Sequence, residues 1–281
     1  MSDSVLRIVE RDNNQFLIID NKSATCRISL FGGQVLSFIP KTDNRDRLWL
    51  SPVAVLNGER AIRGGIPLCW PWFGNDHGST HNDLPAHGIL RIQKWTVEDS
   101  HCEDGITTTV TLTPETTKGD GVTFSSQVKL QLIVGEQLTV SLATTNTDTD
   151  AFEFNCALHS YFSVPDINDV EIHGLTGEYI DKLDKGEIKP TPTPYQIYGQ
   201  TDRIHLESPP ELYIEENGQR LCTIQSADHD TIVVWNPWQS AASMSDMDAF
   251  GYKHMLCVET AVTKGCVLNP GDTHRLTQTV I

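Results

Sequence analysis

The stretch Val128–Leu142, VKLQLIVGEQLTVSL, decides the fold class. Val128, Leu130, Leu132 and Val134 fall on every second position, and Leu138, Val140 and Leu142 resume the beat after Gly135-Glu136-Gln137. Successive side chains of a strand point to opposite faces, so a period of two gives one apolar face and one wet face. Two such runs joined by a short Gly-containing connection read as a β-hairpin. The same beat recurs at Ala24, Cys26, Ile28 and Leu30, turns at Phe31-Gly32-Gly33, and continues through Val35, Ser37 and Ile39. Ile106, Thr108, Val110 and Leu112 give a further strand. No window of a dozen residues carries a helical stripe. Short strands at close spacing predict an all-β sandwich or barrel. Lys189–Pro194 and Glu207–Pro210 are short and flanked by strand-like segments, so they read as loops or edge crossings, and residues 1–281 are expected to form a single domain.

Bulk composition narrows the partners. Twenty-one Lys and Arg stand against 37 Asp and Glu, a formal charge of −16, which argues against nucleic acid because phosphate neutralisation needs a basic stripe. An anionic ligand would have to be held by local arginines against the global field. The seven cysteines are scattered without C-x-x-C spacing, which fits reduced thiols in a cytoplasmic protein and no structural zinc. The start, MSDSVLRIVERDNNQ, has no apolar core of a signal peptide, and no run approaches a membrane span.

Three stretches invite chemistry. Ile62–Gly74, IRGGIPLCWPWFG, combines an arginine, paired glycines, two prolines and two tryptophans. A groove for a polar ring suits that mixture, with backbone approaching at Gly64 and Gly65, flat faces at Trp70 and Trp72, and an anion fork at Arg63. A Pro/Gly-rich crossover loop with buried tryptophans suits it equally. Leu84–Arg91, LPAHGILR, adds His87 and Arg91, and two arginines together can clamp a phosphate bidentately. His77, His81 and His87 match no metal-ligand spacing. Finally, Phe152–His159 and His254–Glu259 place an imidazole and a carboxylate on strand faces otherwise apolar or small. An unpaired buried carboxylate is costly, so Glu259 has a partner, a task, or a water-exposed strand end. His159 reads equally as a hydrogen-bonded, semi-buried histidine.

Taken in order, the blocks LFGGQVLSF, IRGGIPLCWPWFG, LPAHGILR, ALHSYFSV, TDRIHL, VVWNPW and GYKHMLCVET resemble the aldose 1-epimerase superfamily, most closely its glucose-6-phosphate 1-epimerase (hexose-6-phosphate mutarotase) branch. The resemblance covers nearly the whole chain. It implies a galactose mutarotase-like large β-sandwich, or supersandwich, with few short helices and an active site in a groove on one face. It further implies His159 as general acid at the ring oxygen and Glu259 as general base at the anomeric hydroxyl. Arg63 and Arg91 would hold a 6-phosphate, Asp202 would bind sugar hydroxyls, and His87 would line the same pocket. Ala86 stands where some relatives carry glutamine, so one side-chain bond to the sugar is absent or supplied elsewhere.

The residue types suit the implied reaction. Exchange of α and β anomers removes a proton from O1, delivers one to the ring oxygen, rotates the freed aldehyde and recloses the ring; a carboxylate and an imidazole suffice, without metal, nucleotide or other cofactor. Trp235, with Trp70 and Trp72, is a candidate to stack on the apolar face of the sugar, core packing being the alternative for at least one of them. The expected partner is a small sugar phosphate, with no membrane or nucleic acid and a monomer allowed. An epimerase of free aldoses, a non-catalytic sugar-phosphate-binding protein and a glycosidase remain the competing classes; a glycosidase would need two flanking carboxylates.

Overall fold

The computed structural model describes residues 5–75 and 84–281. His77 and His81 lie outside the described residues. Among those described, the only helical pieces are short 3-10 turns, and the rest of the regular structure is antiparallel sheet. An all-β sandwich results, as the alternation predicts. Four N-terminal strands, Leu6–Arg11, Asn14–Asp20, Ala24–Ser29 and Gln34–Pro40, pair in chain order. A nine-stranded sheet runs from Tyr195–Gln196 through Val170–His173, Glu211–Glu216, Gln219–Ala227, Thr273–Val280, Leu138–Asn146, Ser126–Val134 and Thr107–Pro114 to Trp95–Glu103.

The third sheet carries the site. From its edge it runs Glu187–Pro190, Glu178–Asp181, Thr201–His205, Thr231–Asn236, Met255–Leu268, Phe152–Leu158 and Leu68–Cys69, with Tyr161–Ser163 added beside Met255–Leu268. One face packs on the nine-stranded sheet. Cys156, Leu158, Ile232, Val234 and Val258 meet Leu142, Ile224 and Leu276 in one continuous apolar core. Polar ties cross the same layer: Ser160 Oγ donates to Gln278 Oε1 at 2.5 Å, and Gln278 Nε2 donates to Thr260 Oγ1 at 2.8 Å.

The hairpin stands as read, with Val134 opposite Leu138 and Leu130 opposite Leu142. The strand Gln34–Pro40 departs from expectation. A register shift between Arg27 and Ile28 offsets its pairing, so Val35, Leu36 and Phe38 are buried while Ser37 and Ile39 are half-buried. A bulge changes which parity faces inward, and simple alternation cannot show it. Lys189–Pro194 begins as the tail of an edge strand, where proline is tolerated because no ladder bond is lost.

Candidate active site

Strand register assembles the site. Across the third sheet, Asp202 pairs with Trp235 and Trp235 with Cys257; Ile204 pairs with Val233 and Val233 with Glu259. Ala261 lies opposite Ala157, and Ala157 opposite Cys69. Directly paired residues share a face, so Asp202, Trp235, Cys257, Glu259, Ala157 and Cys69 all project from the side away from the main core. Small side chains there, Cys69, Ala157, Val233 and Ala261, form with Phe73 a separate apolar floor.

Glu259 sits within the strand Met255–Leu268, not at its end, and is 1% exposed. The reading of a water-exposed strand end is therefore overturned, because the strand continues well past it. His159 follows the strand Phe152–Leu158 on the Ala157 face, its N–H bonded to the Pro67 carbonyl. His159 Nε2 and Glu259 Oε1 stand 3.3 Å apart. His159 Nδ1 and Glu259 Oε2 are buried without partners, which leaves hydrogen-bonding capacity for a ligand. Burial drives both groups toward neutrality, pushing His159 well below and Glu259 well above its ordinary range.

Aromatic rings orient the imidazole. Tyr161 stacks on it at 4.9 Å and 13°, while Trp235 and His87 meet it edge-on at 6.1 and 5.4 Å. His87 has φ 62°, an unusual backbone for a non-glycine residue. Its Nδ1 accepts the Gly74 N–H at 3.1 Å, which fixes the proton of the neutral ring on Nε2. Burial, then the charges of Arg91, Lys182 and Arg63, lower its pKa to about 3, so at neutral pH His87 is an uncharged donor.

The two arginines differ. Arg63 Nη1 donates to the Tyr161 hydroxyl at 3.0 Å, and its Nη2 pairs with Asp246 at 3.3 Å, so the guanidinium is already engaged on both terminal nitrogens. Arg91 donates through Nη2 to the Ala86 carbonyl at 2.8 Å. Asp202 approaches Lys182 Nζ at 3.8 Å, and burial raises its pKa. Trp70 and Trp72 are 0% and 4% exposed and belong to the main core, so neither offers a stacking face; Trp235 does, being half-buried. Gly65 meets chain, not ligand: a Cβ there would lie 2.1 Å from the Val35 carbonyl oxygen. Of the two readings of Ile62–Gly74, crossover packing accounts for all of it except Arg63 and Phe73.

Sequence reasoning missed Lys182, Tyr161, Phe73 and Asp246. Tyr161 had a signal, two residues after His159 and hence on its face. Lys182 and Asp246 had none, since they arrive from loops. Among the described residues, His159, Cys257 and Glu259 alone group three metal-capable donor atoms, within 4.8 Å of one another. Burial, then Glu259, holds the Cys257 thiol well above its usual pKa, so it offers no thiolate.

Comparison with known proteins gives the family. The family model described as Aldose 1-epimerase matches residues 15–280. The chain belongs to the aldose 1-epimerase family. It is 33% identical over 257 residues to a protein of Escherichia coli K12 named "Putative glucose-6-phosphate 1-epimerase", covering 89% of this chain and 84% of that one. A protein of the same name from Cenchrus ciliaris is 33% identical over 270 residues, covering 90% and 80%. A crystal structure titled as that of a "putative mutarotase" from Salmonella typhimurium superposes with a TM-score of 0.90 at 27% identity, over 100% of this chain and 94% of that one. Within this aldose 1-epimerase family member, no helix of the described residues is long and apolar enough to cross a membrane.

Proposed function

We propose that the protein interconverts the α and β anomers of an aldohexose 6-phosphate, glucose 6-phosphate first among them. The observation that carries the reading is the His159 Nε2–Glu259 Oε1 separation of 3.3 Å. O1 and the ring oxygen O5 are bonded to the same carbon, so an acid and a base serving both must converge on one small region, as this pair does. With the one proton the pair shares carried on His159, Glu259 removes the proton of O1–H while His159 delivers its own to O5. The C1–O5 bond breaks, its electron pair stays with O5, and C1=O1 forms. Rotation about C1–C2 turns the other carbonyl face inward. His159 then takes back the O5 proton as O5 attacks C1, and Glu259 returns its proton to O1. Nothing is consumed. Neutral His87, with its proton on Nε2, donates to the sugar, and Trp235 covers one face.

Phosphate recognition is supported by three cations gathered at one edge of a chain of net charge −16: Arg63, Arg91 and Lys182 all bear on His87. A specific observation favours a second reading, an epimerase of unphosphorylated aldoses. Arg63 is held by Tyr161 and Asp246, which leaves Arg91 the freer guanidinium. Saturation-transfer NMR of the purified protein separates them. We expect faster anomer exchange for glucose 6-phosphate than for glucose, with Arg91→Ala weakening the first at least 10-fold more than the second. Equal effects would select the free-aldose reading, and no acceleration of either sugar would remove both.

A further inference from the structure

His159 lacks the support that usually orients a proton-transfer imidazole, a hydrogen bond on the ring nitrogen that does no chemistry. Its Nε2 faces Glu259 Oε1 at 3.3 Å, and among the described residues no polar atom bonds Nδ1. The plane of the imidazole is fixed instead across its face. Tyr161 lies against it at 4.9 Å and 13°, nearly parallel, so whatever holds the Tyr161 ring also holds the direction in which Nε2 points.

Tyr161 is held at both ends. Its backbone is knitted to the segment that carries Arg63: Tyr161 N–H donates to the Gly65 carbonyl at 2.9 Å, Gly65 N–H to the Trp49 carbonyl at 2.7 Å, and Trp49 N–H to the Tyr161 carbonyl at 2.9 Å. The Trp49 ring stacks on that of Tyr161 at 6.0 Å and 22°. At the far end the Tyr161 hydroxyl accepts from Arg63 Nη1 at 3.0 Å, and burial keeps the phenol protonated. An arginine side chain has much rotamer freedom to lose, so this clamp needs an anchor of its own. Asp246 supplies it, with Oδ2 3.3 Å from Arg63 Nη2. The loop around Asp246 is fixed in turn. Met247 is 4% exposed in the main core and gives its N–H to the Met244 carbonyl at 3.3 Å, while Ser245 Oγ accepts from Arg60 Nη1 at 3.2 Å. The Asp246 side chain is 15% exposed, so solvent screens the pair less than it would at the surface.

We propose that Asp246 is a positioning residue for the proton transfer: through Arg63 and Tyr161 it fixes the plane of the His159 imidazole. The inference rests on the acid role given to His159 above. Because this chain of contacts ends on the imidazole, its effect falls on kcat, whatever the sugar carries at C6.

Saturation-transfer NMR of anomer exchange tests it, with glucose 6-phosphate and glucose, in the wild type and in Asp246→Ala. We expect kcat to fall about 10-fold, by the same factor on both sugars, a loss within reach of a small misplacement of a proton-transfer group. An unchanged kcat would overturn the proposal. So would a loss confined to glucose 6-phosphate, which would put Asp246 in the service of phosphate binding through Arg63. Tyr161→Phe keeps the stacked ring and removes only the hydroxyl, so it should lose a similar factor even if Asp246→Ala folds poorly; full activity there would equally overturn the clamp. A second readout does not depend on catalysis. The ring protons of His159, identified by their disappearance in His159→Gln, are shifted upfield by the stacked Tyr161 ring and should move downfield in Asp246→Ala while those of His205 stay. An unmoved His159 signal sinks the clamp alone. A moved signal, in a protein whose wild type exchanges no anomers, sinks the epimerase reading and leaves the clamp standing.

Discussion

Glu259 and His159 share the energetic problem that makes them useful. Two protons on the pair would leave a buried positive charge, and none would leave a buried negative one, so burial favours the state holding a single proton. That state supplies one acid and one base whichever atom carries the proton. The sign follows for activity. Acidification adds the second proton and removes the base; alkalinisation strips the shared proton and removes the acid. A bell-shaped kcat/KM against pH is expected, its plateau wider than the gap between free Glu and His would give, and a profile rising monotonically from pH 5 to 9 would contradict it. Glu259→Gln should lower kcat by about 10²–10⁴ with a small change in KM, the range for a positioned proton-transfer group. Both residues were legible as oddities, an imidazole and a carboxylate on strand faces of small or apolar neighbours. Their contact was not, because a hundred residues of chain separate them and only strand pairing closes that gap.

At the level of elements, most strands follow from alternation, and the failures have one cause. The bulge after Arg27 inserts one residue and the register shift between Phe154 and Cys156 inserts two in the partner strand, and local sequence announces neither. The turns are set by backbone sterics. Gly88 has φ 76°, and a Cβ there would sit 1.9 Å from the Trp70 carbonyl oxygen, whereas Gly218 has φ 81° with nothing within 4 Å. Gly88→Ala therefore meets a backbone clash in addition to left-handed strain, and Gly218→Ala meets strain alone. We expect Gly218→Ala to cost about 1–2 kcal/mol and Gly88→Ala at least about 2 kcal/mol more, measured by urea unfolding. Equal costs would show that the contact between Trp70 and Gly88 relaxes freely. Because that contact also places His87, Gly88→Ala should reduce activity in whatever fraction still folds.

Across the whole molecule, buried histidines tie folding to pH. His205 is fully buried between the Tyr195 hydroxyl at 2.9 Å and the Thr191 hydroxyl at 3.2 Å, and burial, then Arg203, lowers its pKa to about 3. His87 is lowered to about 3 as well. Between an unfolded value of about 6.5 and these values the unfolded chain binds more protons than the native one. Their contribution to stability is therefore complete above pH 6.5 and is lost as pH falls toward 3. Each can add a slope of up to about 1.4 kcal/mol per pH unit in that window. Urea midpoints should drop between pH 6.5 and 4, less steeply in His205→Gln; an identical slope in that variant would refute the assignment. Alternation, turn residues and ordered motif blocks were written in the sequence itself, since strand period and backbone sterics act over a few residues. Which side chains meet was decided only by tertiary structure. Register across three strands set Asp202, Trp235 and Glu259 on one face, close packing took Trp70 and Trp72 into the core, and loops from elsewhere in the chain brought Lys182 to Asp202 and Asp246 to Arg63. Those encounters depend on long-range pairing, which no local window of sequence contains.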